Sequence, residues 1–411
     1  MNPLLHVLAS LAAVLALGFI LGRVCRRLGQ PAVIGEMIAG ILLGPSLLGA
    51  ISPTAMHFLI PPVADDPHRQ VPTALRAISQ LGVVLYMFLV GLELDGPRLK
   101  TQARSAAAIS IAGIAVPFSL GAALALWLYP GLAPEGVPFS GFALFVGVAM
   151  SITAFPVLAR ILADFGLARS DVGVLALGSA AIADLIAWCL LAFVVGIAQA
   201  EVGGALIVGA WAGLFVLAML TLVRPLVKKW MDRLDARSDP VPAYAITGLF
   251  LLILVSAFAT EWIGIHAVFG AFLLGAVIPL GSRVAKEFAA KIHDPVTLLL
   301  LPAFFATTGM RTELGLLAAW EDWLYALAIV AVATLGKFGG CAVAARLTGQ
   351  SWRDSAALGA LMNARGLMGL IVLDIGLEMG VISKPLFAML VLMALATTLS
   401  AAPVLNLLKL R

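Results

Sequence analysis

Apolar runs of roughly twenty residues, about the thickness of a bilayer when helical, recur from one end of this chain to the other. Short clusters of charged or turn-forming residues separate them. The run after Asp171 shows the pattern most sharply, because Asp184 is its single charge before Glu201. A spanning helix takes roughly 17–25 residues. That template predicts thirteen spans, at 4–22, 31–48, 74–94, 106–129, 140–162, 172–199, 203–223, 242–260, 265–280, 295–310, 323–345, 354–377 and 385–407. Spans 2, 9 and 10 are short or interrupted by Gly and Pro.

Composition agrees: the 411 residues are 62% hydrophobic and 12% charged, against about 25% charged in a soluble domain. An all-α polytopic membrane protein is predicted, forming one transporter domain over 1–411 with no soluble regulatory domain. Residues 4–22 lack a cleavage signature and are read as the first span. The three cysteines are scattered, which argues against disulfides or a zinc site. "TLGKFGG" lacks the upstream Gly and following Ser/Thr of a phosphate loop, so direct ATP drive is not expected, and no cofactor is implied.

The charges also orient the spans, since cytoplasmic loops gather Lys and Arg. With the N-terminus outside, 20 of the 26 basic residues fall at inner ends or loops. Arg69, Arg76, Arg311 and Lys384 fall outside, and Lys337 and Arg365 lie within spans. An N-out, C-in protein of a cell inner membrane follows. The net charge of +4 then reflects topology in the lipid bilayer, not nucleic-acid binding.

Two stretches repeat. "LGQPAVIGEMIAG" (28–40) aligns without gaps on "IGIHAVFGAFLLG" (263–275), matching Gly29, Gly35 and Gly40 to Gly264, Gly270 and Gly275. "VGVAMSITA" (146–154) matches "LGALMNARG" (358–366) more weakly. These pairs set span 2 against span 9 and span 5 against span 12. Seven is an odd offset, so the copies are inverted: repeat one covers about 4–199, repeat two about 242–407, and 203–223 links them. Inverted repeats with interrupted helices point to a secondary transporter whose site lies near the midplane. Small residues that only permit close helix packing are the plainer reading.

Several polar residues fall mid-span: Asp184 in span 6, Lys337 in span 11, Ser151 and Thr153 in span 5, and Asn363 and Arg365 in span 12; Glu36 lies in span 2, after Gly35. A charge at a helix centre costs about 2.5–3.5 kcal/mol on insertion scales, so such groups face a protein interior or water. Pro156 and Gly366 predict broken helices in spans 5 and 12. Freed carbonyls and the hydroxyls of Ser151 and Thr153 suit a hard monovalent cation, with Asp184 supplying the charge. Arg365 suits the carbonyl end of a half-helix. Static salt bridges and a plain proline kink are the alternatives.

These motifs resemble the monovalent cation:proton antiporter-2 family. The stretches that carry the likeness are "PAVIGEMIAGILLGPSLLG", "FLVGLELD", "SITAFPVLARIL", "AIADLIAWCLLA", "FFATTGMRTEL", "LGKFGG" and "NARGLMGLIVLDIG", in that order. "NARG" and "ADLIAWCLLA" look most like bacterial potassium-efflux and plant cation/proton exchangers. The resemblance implies a homodimer, crossing broken helices 5 and 12, and a core domain moving like an elevator. It also implies that Asp184 binds the ion and that Lys337 is the mid-membrane lysine. Electrogenic members carry two adjacent aspartates; here the first position is Ala183.

The expected function is therefore one-for-one, electroneutral exchange of K+ or Na+ for H+, with Asp184 taking either ion. It is not an enzyme. The alternatives are an organic-anion transporter using Arg365 and Lys337, a potassium channel-like efflux protein, and a subunit of a larger complex.

Overall fold

A computed structural model describes residues 2–408, except 63, 64, 67, 93–100, 199–201, 237–240, 266, 280 and 311. Part of the "FLVGLELD" stretch and the charges at positions 98, 100, 237, 311, 409 and 411 lie outside the described residues. Every described element is helical. They are α1 (Pro3–Arg27), α2 (Ala32–Leu43), α3 (Leu48–Ile51), α4 (Pro53–Leu59), α5 (Gln70–Leu92), α6 (Ala103–Leu132), α7 (Phe139–Ser151), α8 (Phe155–Asp164), α9 (Asp171–Ala198) and α10 (Val202–Ala218). Then come α11 (Arg224–Asp235), α12 (Ala243–Ile263), α13 (Ala267–Val277), α14 (Arg283–Pro295), α15 (Leu301–Gly309), α16 (Trp320–Leu347), α17 (Trp352–Met362), α18 (Leu367–Glu378) and α19 (Lys384–Leu407).

A helix lies at every predicted span. Nine helices among the described residues are long and apolar enough to cross a membrane, and Phe139–Ser151 and Ala267–Val277 are shorter apolar ones. Two boundaries differ most from the hydropathy reading. Span 7 does not stop at 223 but runs through a π-helical turn, Met219–Val223, into the amphipathic α11. Span 10 begins at Arg283, not 295, and passes a second such turn, Val296–Leu300. Each wide turn lies just before a proline, Pro225 or Pro302. Proline has no N–H for the carbonyl four residues back, and a π-turn absorbs that gap without ending the helix.

The inverted repeat is built on backbone contact. Any Cβ on Gly35 would overlap the Leu21–Gly22 backbone of α1, and one on Gly270 the Ser256 backbone of α12. Gly40 touches Ala306 of α15, while its counterpart Gly275 touches Phe88 of α5. Gly29 and Gly264, aligned in the repeat, both end helices in the left-handed region, at φ 71° and 94°, where a side chain is strained. Span 2 therefore packs on spans 1 and 10 as span 9 packs on spans 8 and 3.

Packing sorts the helices into two bundles. Spans 1–3 and 8–10 (α1, α2, α5, α12, α13, α14–α15) pack mainly on one another, as do spans 4–6 and 11–13 (α6, α7–α8, α9, α16, α17–α18, α19). The link through α10 leaves α9 and adds to the first bundle.

On the face that carries the N-terminus, α4 packs on α1 and α3 packs on α4. Ser10 Oγ donates to Leu59 O at 2.7 Å. Asp66 then starts α5, its two carboxylate oxygens accepting the Gln70 and Val71 N–H groups, each at 2.9 Å. The Val71 N–H, with that of Gln70, holds the Asp66 carboxyl below the usual carboxylate range. A depressed acid stabilises the fold above its ordinary pKa, about 3.9. That contribution is lost as pH falls through the lower native value. Asp66→Ala is expected to speed amide exchange at Gln70 and Val71 at neutral pH, measured by hydrogen–deuterium exchange. The native protein should show the same loosening only in acid.

Candidate functional site

Spans 5 and 12 are each two half-helices with a gap at mid-span. Between α7 and α8, Ile152 (φ −70°, ψ 134°) opens the turn and Ala154 (φ −100°, ψ 85°) closes it. Pro156 falls in the first turn of α8, where no N–H is required of it. Asn363–Gly366 separate α17 from α18. The two gaps touch: Ala154 N donates to Ala364 O at 3.2 Å. Gly366 lies so close to Val157 that a Cβ would overlap its side chain.

Two half-helices, α7 and α17, thus end near one another with their carbonyls pointing inward, and such ends carry partial negative charge. The α7 end is occupied by both intramembrane cations. Lys337 Nζ donates to Ser151 O. Arg365 Nη1 donates to Ala149 O at 3.2 Å, and Nη2 reaches Ala333 O of α16 at 3.5 Å. Lys337 is 0% and Arg365 2% exposed, a depth at which an unpaired cation would be prohibitive. Their partners are backbone carbonyls, not carboxylates.

The predicted ligands divide in two. The Ser151 hydroxyl donates to Val148 O at 2.8 Å and its carbonyl is taken by Lys337. Thr153 Oγ1, Asp184 Oδ1 and both amide atoms of Asn363 are buried with no hydrogen-bond partner among the described residues. Asp184 rides on α9, which packs on α7, α8 and α17 and so borders the crossing. Lys337 is near enough to interact with it electrostatically. Buried polar atoms are nearly always paired, and unpaired ones call for an ion, a water or a functional reason. A carboxylate, a hydroxyl and an amide oxygen are donor types that hard cations take.

Glu36 is not part of this cluster. It lies on α2 in the other bundle, with Oε1 3.8 Å from Arg160 Nη2 of α8. The sequence marks Arg160 only as one of the basic residues at inner ends and loops. It does not single out Thr398 on α19, whose Oγ1 accepts from Arg365 N at 2.9 Å and donates to Arg365 O at 2.6 Å. The signal available for Thr398 was a Thr–Thr pair inside an apolar span.

A cavity of about 640 Å3 opens between the bundles on the face that carries the N-terminus. Ser79 and Gln80 of α5 and Thr307 and Thr308 of α15 line one wall, and Ile375 and Leu377 of α18 the other. On the opposite face the bundles meet at the Glu36–Arg160 pair.

Known proteins share this sequence and architecture. The family described as sodium/hydrogen exchanger, transmembrane, matches residues 12–407. The Na+/H+ antiporter NhaS4 of Synechocystis sp. is 41% identical over 404 residues, covering 98% of this chain and 97% of its own. Cation/H+ antiporter 17 of Arabidopsis thaliana is 38% identical over 98% of this chain. K+/H+ antiporter 1 of Saccharomyces cerevisiae is 35% identical over 91% of it. The chain spans 48% and 43% of those two proteins' lengths. The solved structure of the sodium proton antiporter MjNhaP1 from Methanocaldococcus jannaschii superposes with a TM-score of 0.71. It covers 100% of this chain at 15% identity, a likeness of fold. A multi-pass helical chain with inverted repeats and two touching helix breaks, matched along nearly its whole length, belongs to the sodium/hydrogen exchanger family of membrane transporters.

Proposed function

We propose that this chain exchanges one monovalent cation, K+ or Na+, for one proton across its membrane, with Asp184 as the seat the two ions share. The observation that carries this reading is the unpaired buried oxygens on the two helix breaks and on the helix α9 packed against them: Thr153 Oγ1, Asn363 Oδ1 and Asp184 Oδ1. A carboxylate in that setting holds a cation or a proton but not both, so occupancy by one drives out the other. Relatives named as Na+/H+ and K+/H+ antiporters support the pair of ions.

The surroundings of the aspartate support electroneutrality. Ala183 precedes it, and Lys337 already serves the Ser151 carbonyl, so one carboxylate alone trades ions. Arg365 and Lys337 are likewise committed to carbonyls, which argues against an organic-anion site. Alternating access then needs the bundle bearing Asp184 to move against the other once its charge is covered. Ser151 supports the α7 end, and Lys337 and Arg365 hold it.

The remaining assignments belong to the same reading: a homodimer in a cell inner membrane, N-terminus outside and C-terminus cytoplasmic, working as one membrane domain. Proteoliposomes loaded with a pH dye test it. Sodium or potassium pulses should move protons at a rate independent of clamped membrane voltage. A rate that scales with voltage would overturn the one-for-one stoichiometry, and no cation-driven proton movement would overturn exchange itself.

A further inference from the structure

We infer that Glu36 and Arg160 are a positioning pair for transport, an ionic latch that holds the two bundles closed on the face opposite the cavity and parts in each cycle. The inference rests on the alternating-access reading above. Four features carry it. The pair joins α2 of one bundle to α8 of the other, at 3.8 Å between Oε1 and Nη2. It is sheltered, with the Glu36 side chain 7% and that of Arg160 14% exposed, so water screens it little. On the other face a cavity lined by α5, α15 and α18 lies between the bundles. Finally, Arg160 sits on a half-helix cut loose from α7 by the gap at 152–154, so its attachment decides where that half-helix rests.

Arg160 also has a second acidic partner within its own bundle: its Nε lies 4.0 Å from Asp164 Oδ1, one turn along α8. Parting from Glu36 therefore does not leave the guanidinium alone in a poorly solvated interface, which lowers the cost of opening. The T-shaped contact of Phe155 with Phe272, ring centroids 4.8 Å apart, also joins the bundles, yet as an apolar contact it can slide without changing partners.

Two measurements on the full-length protein in vesicles test the latch. The first follows access rather than transport. Ser355, buried near the start of α17, is replaced by Cys in a background without the native cysteines, and a charged thiol reagent is applied from the C-terminal face. Arg160→Gln and Glu36→Gln are each expected to speed labelling about fivefold or more. The reversed pair Glu36→Arg/Arg160→Glu should return it toward the native rate. Unchanged labelling in both single variants, or a reversed pair no slower than the singles, overturns the latch whatever the transport result. The second uses Glu36→Cys/Arg160→Cys joined by a bifunctional thiol reagent. Joined protein should stop exchanging cations for protons and recover on reduction. Exchange that continues undiminished while joined overturns the latch and leaves the antiport reading intact. If labelling responds as expected but no protein, native included, moves protons, the antiport reading fails and the latch stands.

Discussion

Asp184→Asn vesicles will show no cation-driven proton movement above protein-free vesicles, in sodium and potassium alike, while the protein inserts and folds as the native one does. The two halves of this expectation have separate causes. Asn matches Asp in shape but neither binds a cation with formal charge nor carries a proton on and off, so competition at the site ends. Folding is spared because Asp184 Oδ1 has no hydrogen-bond partner among the described residues, so no paired interaction of that atom is lost. Removing a charge near mid-membrane also relieves an insertion cost of about 2.5–3.5 kcal/mol. The variant should therefore unfold at the same temperature as the native protein or a higher one, in the way that active-site residues often trade stability for activity. Residual exchange in Asp184→Asn vesicles, or equal loss of fold and function, would count against a single shared carboxylate. Asp184→Glu keeps the charge but lengthens the arm, and is expected to retain exchange at a lower rate.

Much of the fold was legible because lipid leaves a strong mark on sequence. Backbone polar groups that face lipid must be paired within their helices, so span positions follow largely from apolar length. The repeat was legible through Gly35, Gly40, Gly270 and Gly275, because each sits at a backbone approach that tolerates no Cβ. The ends of spans 7 and 10 were not. Hydropathy drops at Arg224 and rises only near Pro295, yet the helices continue on their amphipathic faces.

At the site, the mid-span residues stood out as costly charges, but their partners did not. Lys337 and Arg365 find carbonyls of Ser151, Ala149 and Ala333, and a carbonyl is present at every residue whatever its type. For the same reason nothing in the sequence tied Glu36 to Arg160. Both were visible as charges, and only the packing of α2 beside α8 makes them a pair.

Arg365→Ala should destabilise the protein by about 3–5 kcal/mol, the balance of lost charge-assisted hydrogen bonds and lost buried volume against relief of a buried cation, and Arg365→Lys by less. Three contributions set the size. Ala149 O and Ala333 O lose a charged donor, and hydrogen bonds to charged groups are worth about 1.5–3 kcal/mol each. Arg365 is among the largest fully buried side chains, and truncating a large buried side chain to Ala costs about 2–5 kcal/mol through the cavity left behind. Against both stands the relief of about 2.5–3.5 kcal/mol for no longer holding a cation at mid-span. The losses outweigh the relief. Lysine refills part of the space and one donor direction, but it has no planar fork to reach two carbonyls on different helices. The backbone at 365 remains clamped by Thr398, so the helix break itself should persist and the damage should fall on the α7 end. Thermal unfolding in detergent, with limited proteolysis to locate the loosened segment, measures this. An Arg365→Ala protein as stable as the native one would show that the guanidinium does not hold the α7 end. Cleavage confined to α7 would tie the loss to the two carbonyls rather than to the crossing as a whole.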